Sequence, residues 1–292
     1  MARTDLAGRV VVITGGAGGI GRATAEYLLV RGACVTIADI DAERLEAART
    51  SLAAYDGRLL AMKETVATPL GARRIVEETV ARFGAVDALV NNAAVVRDDW
   101  LVRMTDEAFD EVIDTNLKGA FFCARAAVPH MIARGGGSIV NMVAASGLTG
   151  NPGQTNYAAA KGGLVAMTLT WSAELKKYGI AVNAVIPAAW TAMSERIPPH
   201  VLVKLVGEEH AAFMRRRRPE QVAPLVAYLI SGEARGVSGQ CFFIGGNRLS
   251  VWRFAQPAFE AEARGESWTE QEIADLVAAN PDLLQQPYRS IL

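Results

Sequence analysis

The sequence predicts an α/β fold: a doubly wound parallel sheet in a single domain, followed by a C-terminal helical extension. Three observations predict it. Apolar runs alternate with helix-period segments from the first residues onward. The runs are continuously apolar rather than alternating, as strands covered on both faces are. A glycine-rich turn joins the first run to the first helical segment.

Taken in order, VVVIT (10–14) reads as a buried strand and Ile20 to Arg31 as a helix. CVTIAD (34–39) is a second strand, followed by a helix from Ala42 to Leu52. RLLAMKE gives the third strand, Pro69 to Phe83 a helix, and VDALVNNA the fourth strand. SIVNMV (138–143) and IAVNAVIP (180–187) continue the sheet with helices in the intervals, and GQCFFIGG (239–246) is its last strand. Such alternation implies parallel order and right-handed crossovers. The ligand of this fold lies beyond the carboxyl ends of the strands.

No repeat, low-complexity run or linker interrupts residues 1–246, which are expected to form the one domain. Residues 247–292 form the extension. Within it SWTEQEIADLVAANP reads as a helix, with Ser267 and Glu270 as a capping box and Pro281 just past its end. Ile273, Leu276 and Val277 make a narrow apolar stripe, and Trp252, Phe254, Phe259 and Trp268 are too apolar for a free tail. Packing on the chain's own domain and covering a neighbouring subunit both remain open.

Composition excludes several classes. The 292 residues are 51% hydrophobic and 21% charged with a formal net charge of −1, so no global field favours nucleic acid. The start, MARTDLAGRVVVITGG, lacks the apolar core of a signal peptide. No apolar run reaches the ~18 to 20 residues that span a bilayer. Cys34, Cys123 and Cys241 lie far apart, as buried free thiols do, and His130, His200 and His210 form no ligand-spaced cluster. A reduced, cytoplasmic setting without a metal site is expected.

The first strand runs into TGGAGGIG (14–21). Two glycine spacings fit, Gly15, Gly19 and Gly21 or Gly16, Gly18 and Gly21, with Ile20 inside the turn. Bare backbone can approach a pyrophosphate closely, and the following helix adds free N–H groups and its positive dipole end. Between a buried strand and a helix the motif reads as dinucleotide-binding. Asp39 ends the second strand, where a carboxylate accepts both ribose hydroxyls and repels a 2′-phosphate. No Arg or Lys occupies the turn, so NAD is expected rather than NADP. Asp39 or Asp41 could equally cap the next helix.

NYAAAKGGLVAMTLTWSAEL is helical in period, so Tyr157 and Lys161 stand one turn apart on one face. An ammonium ~4 Å away at an effective dielectric of ~20 favours a phenolate by about 4 kcal/mol, or roughly three pKa units. Tyr157 is therefore expected to titrate low enough to act as general acid and base.

TGGAGGIG, NNAA (91–94), NLKGAFF (116–122), YAAAK and NAVIP, in this order over about residues 6 to 250, resemble the short-chain dehydrogenases/reductases. The resemblance implies a Rossmann-type fold and an oxidoreductase that interconverts a secondary alcohol and a ketone. By that likeness Asn116 orders a water beside the lysine, Tyr157 carries the proton, and Lys161 also holds the nicotinamide ribose. Asn92 and Ala93 would flank the cofactor, with Pro187 and Thr191 near the nicotinamide. Thr65, before Val66, stands where an Asp commonly meets the adenine amino group. A homo-oligomer, dimer or tetramer, is also implied.

One departure concerns catalysis. The family's usual Ser, thirteen residues before the Tyr, is Ala144 here, preceded by Val143. Ser146 supplies the hydroxyl from a shifted loop, or the chain is a slow or repurposed enzyme or NAD-binding scaffold, or a deliberate Ser-to-Ala exchange has been made. Within the family ASGLTGNPGQTNYAAAK, NNAAVVRD, PEQVAPLVAYL and GGNRLSVWR are similar to the (3R)-hydroxyacyl-CoA dehydrogenase branch of peroxisomal multifunctional enzymes type 2 and bacterial relatives. That likeness implies a 3-hydroxyacyl thioester or a steroid-like substrate. Residues 188–218 would cover the substrate, ending in Arg215 to Arg218. Those arginines fit either a solvated helix end or the phosphates of a CoA, and charge runs usually stay solvated.

Overall fold

The computed structural model describes residues 6–192, 194–196, 198–253, 259–263 and 267–281. Eight strands form one sheet: β1 (Val10–Thr14), β2 (Cys34–Asp39), β3 (Leu59–Lys63), β4 (Ala88–Asn91), β5 (Gly137–Met142), β6 (Ile180–Pro187), β7 (Cys241–Gly245) and β8 (Arg248–Trp252). The first seven match the expected strands to within two residues at each end. Helices α1 (Gly19–Leu29), α2 (Ala42–Ser51), α3 (Pro69–Phe83), α4 (Asp106–Ile113), α5 (Gly119–Ala133), α6 (Ser146–Thr149) and α7 (Thr155–Glu174) fill the intervals. Residues 188–218 fold largely as α8 (Pro199–Val206) and α9 (Glu208–Arg215), and α10 (Ala223–Leu229) precedes β7.

The strand order is β3-β2-β1-β4-β5-β6-β7-β8, and every pairing up to β7 is parallel. Alternate side chains of one strand enter different cores. Val11 and Ile13 of β1 pack with Leu28 of α1 and Val226 of α10, whereas Val12 joins Ile75 of α3 and Met131 of α5. Two buried faces are the reason the strands read as unbroken apolar runs. The order reverses between β1 and β4, so a crevice opens beyond their carboxyl ends.

Three expectations are corrected. GQCFFIGG is not the last strand: Arg248–Trp252 turns back and pairs antiparallel with β7, from Gly245↔Arg248 to Cys241↔Trp252. The first compact unit accordingly runs to Trp252 rather than 246, and a second begins at Arg253. In that second unit α11 (Glu270–Ala279) is capped by Thr269, not Ser267. Both SWTE and TEQE carry the capping-box spacing. Glu272 decides the register, because its carboxylate accepts from Thr269 N at 2.9 Å and Oγ1 at 2.8 Å while Thr269 Oγ1 accepts from Glu272 N at 3.2 Å. Ile273 is 49% exposed and no residue of α11 is buried. Phe254 lies outside the described residues.

Cys123 and Cys241 are buried free thiols, while Cys34 is only partly buried. Burial pushes Cys123 up to about 12 and Cys241 up to about 11, which leaves both unreactive near neutrality.

Candidate active site

The site begins where β1 and β4 end. Thr14 Oγ1 accepts from Asn92 N at 3.0 Å and Ala93 N at 3.1 Å, and Asn92 Nδ2 donates to Thr14 O at 3.0 Å and Gly15 O at 2.9 Å. These bonds draw the turn against residues 92–93. Gly15 has φ of 63°, and a Cβ there would lie 2.8 Å from Ala93 Cα. A Cβ on Gly21 would run into the Gly15 carbonyl. Gly15, Gly16 and Gly21 leave no room for a Cβ, at Gly16 because Ile37 Cβ would lie 2.6 Å away, while Gly19 is required by its φ of 50° and Gly18 faces open space. Ile20 packs against the core from the first turn of α1.

Helix α1 starts after Gly18 with no side-chain cap and no acidic residue in its first turn. Its leading N–H groups therefore face outward with the dipole's positive end, a fit for a pyrophosphate. Asp39 lies alongside, its Oδ2 accepting from Ala17 N at 3.2 Å and its Oδ1 from Asp41 N at 3.1 Å. Asp41, not Asp39, caps α2 by accepting from Arg44 N at 3.0 Å. The carboxylate of Asp39 is thus left for the site. A cavity of about 460 Å³ beside Gly18 is lined by Arg22 and Arg44, yet each already pairs with an acid, Glu26 at 3.4 Å and Asp41 at 3.1 Å. Thr65 Oγ1 accepts from Ala67 N at 3.1 Å, and Val66 is buried against Gly119. On the opposite side Thr191 reaches over the turn, its Cγ2 lying 3.4 Å from where a Gly19 Cβ would stand. Pro187 ends β6 immediately before that segment.

Helix α7 carries the proton-transfer pair and is held to the sheet by a buried polar chain. Asn91 Nδ2 donates to Asn141 Oδ1, and Asn141 Nδ2 to Thr168 Oγ1, both at 2.9 Å. Lys161 is 2% exposed, donates to Met142 O at 2.7 Å, and has no carboxylate partner among the described residues. Its Nζ lies 5.7 Å from the Tyr157 ring centroid.

Here the structure corrects the expected direction. Burial, with a smaller contribution from Asp98, pushes Tyr157 up to about 12 rather than down. Burial likewise brings Lys161 down to about 8. Desolvation disfavours both charged forms, because the pair packs against the body of the protein rather than on a wet helix face. The phenol is therefore fully protonated at neutral pH and the lysine mostly cationic.

Asn116 is buried in a π turn, Asp114–Lys118, and Val95 takes up both ends of its amide: Oδ1 accepts from Val95 N at 2.8 Å and Nδ2 donates to Val95 O at 2.9 Å. Its side chain is engaged by the Val95 backbone.

Ala144 follows β5 and its carbonyl accepts from Gly147 N at 3.1 Å. Gly147 lies against α7, where an added Cβ would come within 2.5 Å of Gly162 N. This contact pins the loop beside Lys161 and opposes a shifted register. Ser146 opens α6, partly exposed, and its hydroxyl makes no hydrogen bond among the described residues.

Sequence reasoning missed Asp98 and Gln154. Gln154 Nε2 donates to Asp98 Oδ2 at 3.0 Å, Asp99 N to Gly153 O at 3.0 Å, and Asn156 Nδ2 to Arg97 O at 2.9 Å. The three bonds fasten residues 97–99 along the start of α7 and bring the Asp98 charge to Tyr157. The available signal was Gln154, three residues before Tyr157 and so on its face of the helix.

A glycine turn at the sheet's switch point, an acid at the end of β2 and a Tyr–Lys pair at the same end define a dinucleotide-binding α/β protein built for proton transfer. A family model described as short chain dehydrogenase matches residues 9–200. The chain belongs to the short-chain dehydrogenase/reductase family of oxidoreductases. It is 40% identical over 242 residues to a 3-oxoacyl-[acyl-carrier-protein] reductase of Thermotoga maritima, covering 82% of this chain and 98% of that protein. The fold matches a short chain dehydrogenase from Mycobacterium avium with a TM-score of 0.82 at 34% identity, covering 98% of both chains. It matches levodione reductase with a TM-score of 0.74 at 31% identity, over 82% of this chain and 97% of that one. Among these relatives the acyl-carrier-protein reductase, not the multifunctional-enzyme branch expected from the sequence, supplies the named thioester chemistry. No helix among the described residues is long and apolar enough to cross a membrane.

Proposed function

We propose that this chain is an NAD-linked reductase of 3-oxoacyl thioesters, interconverting the ketone with its secondary alcohol. The observation that carries the reading is the Tyr157 phenol one helical turn from the buried Lys161 amine, whose Nζ lies 5.7 Å from the ring centroid and has no carboxylate partner among the described residues. A protonated phenol is the form that donates a proton to a carbonyl oxygen, the role reduction requires. As Tyr157 gives its proton to the carbonyl oxygen, the cation at Lys161 stabilises the phenolate left behind. When bound, a nicotinamide dinucleotide supplies hydride transfer at the carbonyl carbon. The turn Gly15–Gly21 and the open start of α1 would hold its pyrophosphate, Asp39 its adenosine ribose, and Thr65 with Val66 its adenine. Asn92, Ala93, Lys161, Pro187 and Thr191 would line the nicotinamide end. NAD is favoured because the Asp39 side chain faces the turn and the nearby Arg22 and Arg44 are already paired.

The thioester reading draws on the relative named as a 3-oxoacyl-[acyl-carrier-protein] reductase. It is tested by NADH- and NADPH-linked turnover of acetoacetyl-CoA, acetoacetyl-carrier protein and a ketosteroid. NADH-dependent reduction of the thioesters is expected. Turnover of the ketosteroid alone would overturn the substrate class.

A second reading, a cofactor-binding scaffold with impaired catalysis, is favoured by one observation, the missing hydroxyl at Ala144. Cofactor binding without turnover of any substrate, in the chain as it stands and in Ala144→Ser, would decide for it.

A further inference from the structure

The arginine run at the end of α9 does not behave as one solvated patch. Arg215, Arg216 and Arg218 are exposed, whereas Arg217 is partly buried and turns towards the β7–β8 hairpin. Its Cγ lies 3.8 Å from where a Gly246 Cβ would stand, and its carbonyl accepts from Trp190 N at 2.6 Å. Arg248, the first residue of β8, comes to the same place: its Cζ is 5.7 Å from the Phe213 ring centroid and that of Arg217 is 4.5 Å away. Two like charges thus converge on one aromatic ring. Neither makes an ion pair among the described residues, and Arg217 Nε is buried without a hydrogen-bond partner. Burial and the charge of Arg248 both lower the Arg217 pKa, the expected response to a missing anion.

The location is the carboxyl end of β6 and β7, where Trp190 follows Pro187 and where a ligand of this fold lies. Guanidinium groups match phosphate oxygens in two-point geometry, and an aromatic face steadies them. We propose that Arg217 and Arg248 form an anion site that receives the pantetheine phosphate of a 4′-phosphopantetheine thioester, carried either on CoA or on a carrier protein. This inference rests on the thioester reading above and deepens it.

The test compares wild type with Arg217→Gln, Arg248→Gln and Arg217→Lys on three substrates under saturating NADH: acetoacetyl-CoA, acetoacetyl-carrier protein and acetoacetyl-pantetheine, which lacks the phosphate. Each Gln variant is expected to lose about 10- to 100-fold in kcat/KM on a phosphate-bearing thioester, chiefly through KM, as loss of a charged hydrogen bond does. Acetoacetyl-pantetheine is expected to be unaffected, and Arg217→Lys to fall between. Loss on CoA alone, on carrier protein alone or on both supports the site and names its source. Equal loss on acetoacetyl-pantetheine, no loss at all, or weakened NADH binding overturns it. Calorimetric binding of 4′-phosphopantetheine against pantetheine reads the site without turnover. An inactive wild type that still binds phosphopantetheine through these arginines would defeat the thioester-reductase reading and leave the anion site standing.

Discussion

Exchanging Ala144 for serine adds one oxygen-binding donor and changes little else. The loop that carries position 144 is pinned, since the Ala144 carbonyl accepts from Gly147 N at 3.1 Å and Gly147 packs against the α7 backbone at Gly162. A new hydroxyl at residue 144 therefore arrives on a fixed backbone and is not lost to loop relaxation. One preorganised donor is worth about 2.7–4 kcal/mol, so Ala144→Ser is expected to raise kcat on acetoacetyl-CoA by ~10²- to 10³-fold. The gain depends on what replaces the hydroxyl in the chain as it stands. The Ser146 hydroxyl has no partner among the described residues. Because the pinned loop opposes a shifted register, Ser146→Ala is expected to change kcat by less than about threefold, alone or combined with Ala144→Ser. Initial rates of NADH consumption for the four proteins of this cycle separate the two sites. Additive effects would mean that Ser146 does not substitute for residue 144. A gain from Ala144→Ser below about threefold would refute the argument that oxygen binding limits this enzyme.

Three further outcomes follow from the same site. Asp98→Asn keeps an acceptor for Gln154 but removes a charge that holds the phenol protonated, so the Tyr157 pKa falls. Alcohol oxidation, which needs the phenolate, should then reach half its maximum at lower pH; an unmoved or raised midpoint in the pH–rate profile would contradict this. For Lys161 the folded pKa is about 8 against 10.5 for the free group, so between those values the unfolded chain binds more protons and stability rises with pH. The rise is ~3 kcal/mol, and urea denaturation should find it in wild type and miss it in Lys161→Met, while turnover falls above pH ~8 as the ammonium is lost. Asp39→Asn removes the charge that repels a 2′-phosphate, and should lower the NADH-to-NADPH ratio of kcat/KM by about tenfold or more; an unchanged ratio would remove Asp39 from cofactor choice.

Much of the fold was legible because burial on two faces leaves a mark that needs no tertiary knowledge: VVVIT, CVTIAD and IAVNAVIP read as strands since neither face of the sheet is wet. Tyr157 and Lys161 were legible for a local reason, one helical turn. β8 was missed because it breaks both rules. RLSVW is an edge strand with Leu249 61% and Val251 53% exposed, and its partner comes from a hairpin rather than a crossover. Helix α11 was found but misregistered by two residues, since SWTE and TEQE offer the same capping pattern and only side-chain geometry separates them.

Electrostatics was the least legible level. The sequence supplies the attraction between Tyr157 and Lys161 but not the desolvation that reverses its effect on the phenol. Arg217 and Arg218 are adjacent and chemically identical, yet only Arg217 turns inward to meet Arg248, thirty-one positions away in the chain. Asp98 reaches Tyr157 through a clasp of three hydrogen bonds between loop 97–99 and the start of α7, a contact no periodicity announces.

The central claim, that Tyr157 gives a proton to a ketone beside NADH, is tested most directly by single-turnover reduction of acetoacetyl-CoA in wild type and Tyr157→Phe, with NADH binding measured on both. Turnover is expected in wild type, with a loss of ~10²- to 10⁴-fold in the variant and NADH affinity unchanged. Equal rates in the two proteins, or no turnover in wild type despite bound NADH, would contradict it.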